Sequence, residues 1–216
     1  MKYAFITSLF FLVVLTACKK KDANNLPTQY SSYDYFPMDS GNYWIYEWYK
    51  IDSNGNESHF TWSNDTILAT GDTVINGVVW KKIKSTGYGS TNFTTTYYRD
   101  SIGILIGLSG FPILAVNPNV DTLYTYCNTS GPNLCEVYFM NYNTRMKTVP
   151  AGTFSVIERK RALVDYTGAT NCIGTNVRYA TQTYCVGVGK ISDRIFYSSD
   201  QNCEYYEARL KNYFVH

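Results

Sequence analysis

Between Phe36 and Phe214 apolar and polar residues alternate with a period of two, in short runs separated by turn-forming clusters. That period places successive side chains on opposite faces of an extended chain, so it calls for β-sheet and leaves little room for helix. The sharpest instance is Asp72-Thr73-Val74-Ile75 and Val78-Val79-Trp80-Lys81-Lys82-Ile83-Lys84 on either side of Asn76-Gly77. A two-residue hairpin turn needs positive φ at both central positions, which Asn and Gly tolerate. A strand over 43–51 opens after Ser40-Gly41-Asn42 and ends in the turn cluster 52–56, and a second follows over 59–69. Further strands are expected over 94–99, 103–108, 122–127, 136–140, 145–149, 153–164, 177–186, 190–197 and 205–214. Helical period is confined to 203–210. The chain is therefore expected to be mostly β, an antiparallel meander sheet curled into a barrel-like or sandwich domain with little helix. It contains no internal repeat.

The first residues obey a different logic. Met1-Lys2 gives a positive start, Tyr3 to Leu15 is apolar except for Thr7 and Ser8, and Leu15-Thr16-Ala17-Cys18 precedes Lys19-Lys20-Lys21. The apolar run is shorter than the roughly 20 residues a membrane-spanning helix needs, and its flanks are those of a signal peptide. Leu15-Thr16-Ala17-Cys18 resembles the lipobox of bacterial lipoproteins. That resemblance implies cleavage before Cys18, a diacylglyceryl thioether on its sulfur and acylation of the new amino terminus. Several acyl chains on one residue make a stable anchor, each buried methylene contributing about 0.8 kcal/mol. Residues 18–35 are polar and read as a flexible tether, its lysine triplet free to contact anionic headgroups for about 1 kcal/mol each. The expected organisation is a signal peptide over 1–17, a lipidated tether over 18–35 and one β-rich domain over 36–216.

Three segments of that domain carry a further resemblance. Tyr35-Phe36-Pro37-Met38-Asp39-Ser40-Gly41-Asn42-Tyr43-Trp44-Ile45-Tyr46 resembles the opening of a group of uncharacterised Bacteroidetes-type outer-membrane lipoproteins. Val149-Pro150-Ala151-Gly152-Thr153-Phe154 and Gly187-Val188-Gly189-Lys190-Ile191 are similar to that group's second and third signatures. The resemblance implies a β-rich domain and a cell outer membrane address, facing the periplasm or the cell surface. It carries no catalytic residues with it. Physically the motifs read as turns: Gly41-Asn42 aims Tyr43 and Trp44 inward, and Pro150-Ala151-Gly152 reverses the chain.

Removing residues 1–17 takes away Lys2 and leaves 18 basic against 17 acidic residues. A net charge so near zero excludes a generalised nucleic-acid partner. Beyond Cys18 there are five cysteines, and Cys127 and Cys135 bracket a turn-rich loop at the ends of two expected strands, where a bridge closes easily. Among the others the strand order favours Cys172–Cys203, leaving Cys185 as a buried free thiol. No metal site is expected, since there is no CxxC and only two histidines are present. His59 sits in a strand beside Phe60, and His216 is the last residue, so no nucleophile–base arrangement is evident. The glutamates are scattered, the glycines of 103–110 lack a βαβ context and no Walker motif is present, so neither an enzyme nor a cofactor is expected. Ile102 to Val116 is unusually apolar, which suits a buried central strand and turn or, alternatively, an apolar pocket wall or lipid contact.

Two patterns remain. The chain has 21 tyrosines, together with Trp44, Trp48, Trp62 and Trp80. These tryptophans are candidate ligand-binding residues, lining a groove for glycan, peptide or lipid; alternatively they are simply core. The triplets Asp65-Thr66-Ile67, Asp72-Thr73-Val74, Asp100-Ser101-Ile102 and Asp121-Thr122-Leu123 resemble the O-glycosylation signal of exported Bacteroidetes proteins, which implies sugar on Thr66, Thr73, Ser101 and Thr122. An Asp closing a turn before a β-branched strand start gives the same triplet. The expected role is a non-enzymatic binding or interaction module on the cell envelope. The alternatives are a structural or accessory lipoprotein, or an acyl-chain carrier with a curved sheet. The sequence leaves the oligomeric state open.

Overall fold

The computed structural model describes residues 30–87, 90–128, 134–165, 177–197 and 203–216. A single helical turn, α1 (Ser32–Tyr35), precedes twelve strands. The first six are β1 (Tyr43–Ile51), β2 (Glu57–Ile75), β3 (Val78–Ser85), β4 (Thr94–Asp100), β5 (Ile104–Gly107) and β6 (Pro112–Ala115). The second six are β7 (Thr122–Asn128), β8 (Leu134–Val149), β9 (Gly152–Asp165), β10 (Val177–Cys185), β11 (Gly189–Ile195) and β12 (Tyr205–Phe214). All pairings are antiparallel, in the order β6-β5-β4-β3-β2-β1-β12-β11-β10-β9-β8-β7. The sheet is thus two six-stranded meanders joined where β1 pairs with β12, Trp48 opposite Ala208. It nearly closes into a barrel rather than stacking as a sandwich. Its two ends, β6 and β7, are consecutive in the chain. Their connection is held to β8 by Tyr142 Oη, which donates to the carbonyls of Asn117 and Val120 at 2.7 and 2.9 Å.

Two strands are longer than their sequence pattern suggested because bulges hide the continuity. β2 joins the segments expected over 59–69 and 72–75, with a register shift between Ala69 and Asp72. β8 joins 136–140 to 145–149 across a shift between Asn141 and Arg145. The strand expected over 205–214 forms along its whole length, so the trace of helical period within 203–210 does not produce a helix. The apolar segment 102–116 forms the edge hairpin β5–β6 rather than a central strand. Leu105, Leu114 and Ala115 enter the core from it, while Ile102 is 82% exposed.

The expected tether ends too late. Ser31 caps α1, and Asp100 Oδ2 accepts from the Ser32 backbone N–H at 2.7 Å and from the Ser32 hydroxyl at 2.5 Å. These bonds bury Ser32 completely and tie residues 31–33 to the end of β4. Polar composition suggested a solvated spacer, but short-range capping together with one carboxylate recruits the segment into the fold.

The three segments that carry the resemblance lie toward one end of the barrel, the first and third in direct contact. The Phe36 and Trp44 rings lie 5.1 Å apart, and Trp44 Nε1 donates to the Val188 carbonyl. Asn42 Nδ2 donates to the Pro37 carbonyl at 3.1 Å, and the Gly187 N–H to the Asp34 carbonyl at 2.7 Å. The turn of the β8–β9 hairpin joins β12 through the Ala151 N–H and the Leu210 carbonyl, 3.0 Å apart. At the other meander's edge Cys127 and Cys135 face each other across β7–β8 and form a disulfide. Removing it by Cys127→Ser/Cys135→Ser is expected to lower stability by roughly 2–3 kcal/mol on chain-entropy grounds. Urea denaturation checks this, and a midpoint unchanged from the oxidised wild type would contradict it.

Candidate functional site

Strand alternation and register assign the faces of the curved sheet. The concave face carries Trp44, Tyr46 and Trp48 of β1, opposite Leu210 and Ala208 of β12. On β2 it carries Asp65 and Ile67, and on β9 and β10 the cross-strand pairs Ile157–Tyr184 and Arg159–Gln182. Near β1 this face is solidly packed: Trp44, Tyr46 and Leu210 are at most 1% exposed. Toward β9–β11 it turns polar and opens.

Lys190, near the start of β11, and Asp193, past its middle, define the polar zone. Asp193 Oδ2 accepts from Lys190 Nζ and from Gln182 Nε2, each at 2.8 Å. Gln182 Oε1 accepts in turn from Arg159 Nη1 at 2.9 Å and from the Tyr184 hydroxyl at 3.0 Å. Lys190 Nζ also lies over the Tyr46 ring, 5.5 Å from its centroid. Burial opposes the lysine's charge, but Asp193 outweighs it and the ammonium is held above its ordinary pKa. The Tyr184 phenol is pushed up to about 12 by burial, Lys190 pulling weakly the other way. On the opposite wall Asp65 is nearly buried and raised by loss of solvent, an effect that the Trp48 indole N–H and Lys190 only partly offset.

Because the folded state raises Asp65 above 3.8, it favours the protonated form. Folding gains from this group below that value and loses the gain as pH rises through the folded pKa. Asp65→Asn is therefore expected to melt higher than wild type at pH 7 and to lose that advantage near pH 3. A variant no more stable at pH 7 than at pH 3, relative to wild type, would contradict the assignment.

Two cavities flank this zone and share Arg159 and Gln182 as a common wall. One, of about 210 Å³, lies against Tyr124, Tyr138, Arg161 and Ala180. The Tyr124 and Tyr138 rings stack at 4.2 Å, and the Arg159 guanidinium lies 4.8 Å from the Tyr138 centroid. The other, of about 220 Å³, lies between the two meanders and is partly open, with Phe36, Ile67, Ile83, Thr96, Tyr98 and Ile113 on one side and Tyr184 and Lys190 on the other. Arg161 has a carboxylate partner in Glu136 at 3.4 Å.

The convex face is a lattice of ion pairs instead. Arg209 bridges Glu57 and Glu207, and Lys147 reaches Glu207 from the far end of β8. Burial would raise the Glu207 carboxyl, but Lys147 and Arg209 hold it below the usual range. Arg145 similarly pairs with Glu158.

The tryptophan expectation needs correction. Trp44, Trp48 and Trp80 are 0%, 5% and 8% exposed, so none lines an open groove. Trp44 and Trp48 belong to the core, while Trp80 lies on the other face of β3 from Ile83, under the Arg99 guanidinium at 5.2 Å. Large aromatic rings on the inward positions of a tightly curved sheet fill its interior. Trp62 lies in β2, and its side chain falls outside the described ones. Cys203 is disulfide-bonded; Cys172, its expected partner, lies outside the described residues. Cys185 is free and half-buried rather than buried, its thiol raised by loss of solvent. Thr66 and Thr73 sit half-buried within β2, Ser101 half-buried after β4, and Thr122 exposed at the start of β7. Asp121-Thr122 alone stands at a strand start. Cys18 and the whole of 1–29 lie outside the described residues. His59 stacks on Tyr49 at 4.9 Å, with Nε2 3.4 Å from Glu47.

Sequence reading did not single out Arg159, Gln182 or Asp193, and named Lys190 only within Gly187-Val188-Gly189-Lys190-Ile191. The available signal was parity: 157, 159, 161 and 163 share a face whose ends, Ile157 and Leu163, are apolar and buried.

No family model matches the sequence, and no curated protein matches it. Two solved structures are similar. One is a Bacteroides fragilis protein named for its inferred export and its YmcC-like fold, with TM-score 0.46 and 11% identity, over 83% of this chain and 98% of that one. The other is a Parabacteroides distasonis protein inferred to be a lipoprotein, with TM-score 0.41 and 14% identity, over 83% and 98%.

Proposed function

We propose that the protein is a non-enzymatic binding module of the cell envelope, held on the outer membrane by lipid at Cys18, and that its ligand occupies the interior of the curved sheet. The observation that carries this reading is the pair of cavities sharing Arg159 and Gln182. A sheet built only for structure fills its concave face, as this one does around Trp44, whereas near β9–β11 the same face leaves polar side chains around open volume. The envelope address is supported by the signal-like N-terminus ending in Leu15-Thr16-Ala17-Cys18 and by the disulfide, which suits an oxidising compartment.

Two experiments test the two halves. Metabolic labelling with palmitate is expected to mark the wild type and to be abolished in Cys18→Ser; equal labelling of both would overturn the anchor. Native mass spectrometry of the chain purified from its membrane is expected to show a retained small molecule. Thr96→Phe, which fills the cavity beside Ile83, is expected to remove that molecule while leaving the fold intact. A molecule retained equally by Thr96→Phe, or absent from both, would contradict an interior site.

A further inference from the structure

We infer that the interior site selects a small molecule with one anionic group and an apolar body, the anionic group seated on Arg159. This deepens the interior-site reading and rests on it.

The charges around the shared wall are unevenly matched. Lys190 has Asp193 at 2.8 Å and Arg161 has Glu136 at 3.4 Å. Arg159 lines both cavities, yet its contacts are the neutral Gln182 amide and the Tyr138 ring. Its Nε is buried and has no hydrogen-bond partner among the described residues. A buried guanidinium donor left unmade is costly, and a carboxylate, sulfate or phosphate oxygen is the group that satisfies it best. Gln182 cannot do so, because its amide oxygen already accepts from Arg159 Nη1 and Tyr184 while its amide nitrogen serves Asp193. Those bonds lock the guanidinium in place, so an incoming anion meets a preorganised partner.

The apolar half of the ligand is set by what lies beyond. From Arg159 the second cavity runs between Ile67, Ile83 and Ile113 toward Phe36, with about 220 Å³ available. That space takes a one- or two-ring body or a short chain. The three isoleucines and Phe36 offer the body apolar contact, while the hydroxyls of Ser85, Thr96 and Tyr98 on the same lining leave room for a polar substituent.

The test uses naphthalene-2-sulfonate and its uncharged counterpart naphthalene-2-sulfonamide, titrated calorimetrically into the full chain in non-ionic detergent at low salt. The sulfonate is expected to bind at least about ten-fold more tightly, the range of one charge-assisted hydrogen bond. Arg159→Gln is expected to reduce the preference below about two-fold with the sulfonamide unaffected, and Thr96→Phe to abolish binding of both. Should Arg159→Gln fail to fold, the guanidinium Nε–H resonance of Arg159 in the wild type, assigned with Arg159→Lys, is expected to shift with sulfonate and not with sulfonamide. Equal binding of the two compounds, both lost in Thr96→Phe, would overturn the anionic preference and leave the interior site standing. Binding of neither compound overturns the inference too, and the retained-molecule experiment then decides the interior site by itself.

Discussion

Replacing Gly189 by alanine is expected to destabilise the protein by about 3 kcal/mol, a fall in melting temperature of roughly 10 °C. The residue sits at φ +112°, where an L side chain is strained. A Cβ there would also lie 2.8 Å from Trp44 Nε1 and 3.1 Å from Cε2, closer than such atoms approach. Trp44 cannot retreat, since it is wholly buried, packed on Phe36 and bonded to the Val188 carbonyl. Strain and collision therefore add, and the indole's hydrogen bond is lost with them. Thermal unfolding of Gly189→Ala followed by circular dichroism checks this; a midpoint within about 2 °C of wild type would show that the Gly189–Trp44 contact does not hold the two meanders together.

The Lys190–Asp193 pair carries the second large effect. Both side chains are less than one-fifth exposed, and the ammonium's other neighbours are the Tyr46 and Tyr184 rings. Asp193→Ala strands a charged lysine in the interior and is expected to cost about 3 kcal/mol. Lys190→Met/Asp193→Ala removes the stranded charge and is expected to recover most of that loss, a coupling of at least about 1 kcal/mol. The raised lysine pKa fixes the sign of the pH dependence. The pair's contribution is fully present below 10.5 and is lost as pH climbs through the folded value, so the cost of Asp193→Ala persists across neutral pH. A double variant as unstable as the single one would contradict the pairing.

The architecture was legible where local chemistry and period agree. Asn76 and Gly77 take φ values of 52° and 77°, the pair of positive angles that the two-residue turn demands. The strand at 43–51 and the final strand to 214 follow from alternation alone, and so does the antiparallel meander. What alternation cannot report is which face is concave. Both faces of β1 are apolar-rich, so Trp44 and Trp48 read equally well as groove or as core; the pairing of β1 with β12, 160 residues away in sequence, decides it. The site was hidden for a related reason. Glu158-Arg159-Lys160-Arg161 is a charge run that ordinarily marks a solvated face, but the curl of the sheet sends Glu158 and Lys160 outward and Arg159 and Arg161 inward. The packed segment 31–35 escaped because its partner, Asp100, lies on another strand.

Isoleucine-methyl spectra of the full chain, recorded as a small-molecule extract of its own envelope is added, test the interior site most directly. Shifts concentrated on Ile67, Ile83 and Ile113, with the 82% exposed Ile102 unmoved, are what the cavity beside Arg159 predicts. Shifts confined to Ile102, or none on the three interior isoleucines, would contradict it and return the concave face to a purely structural role.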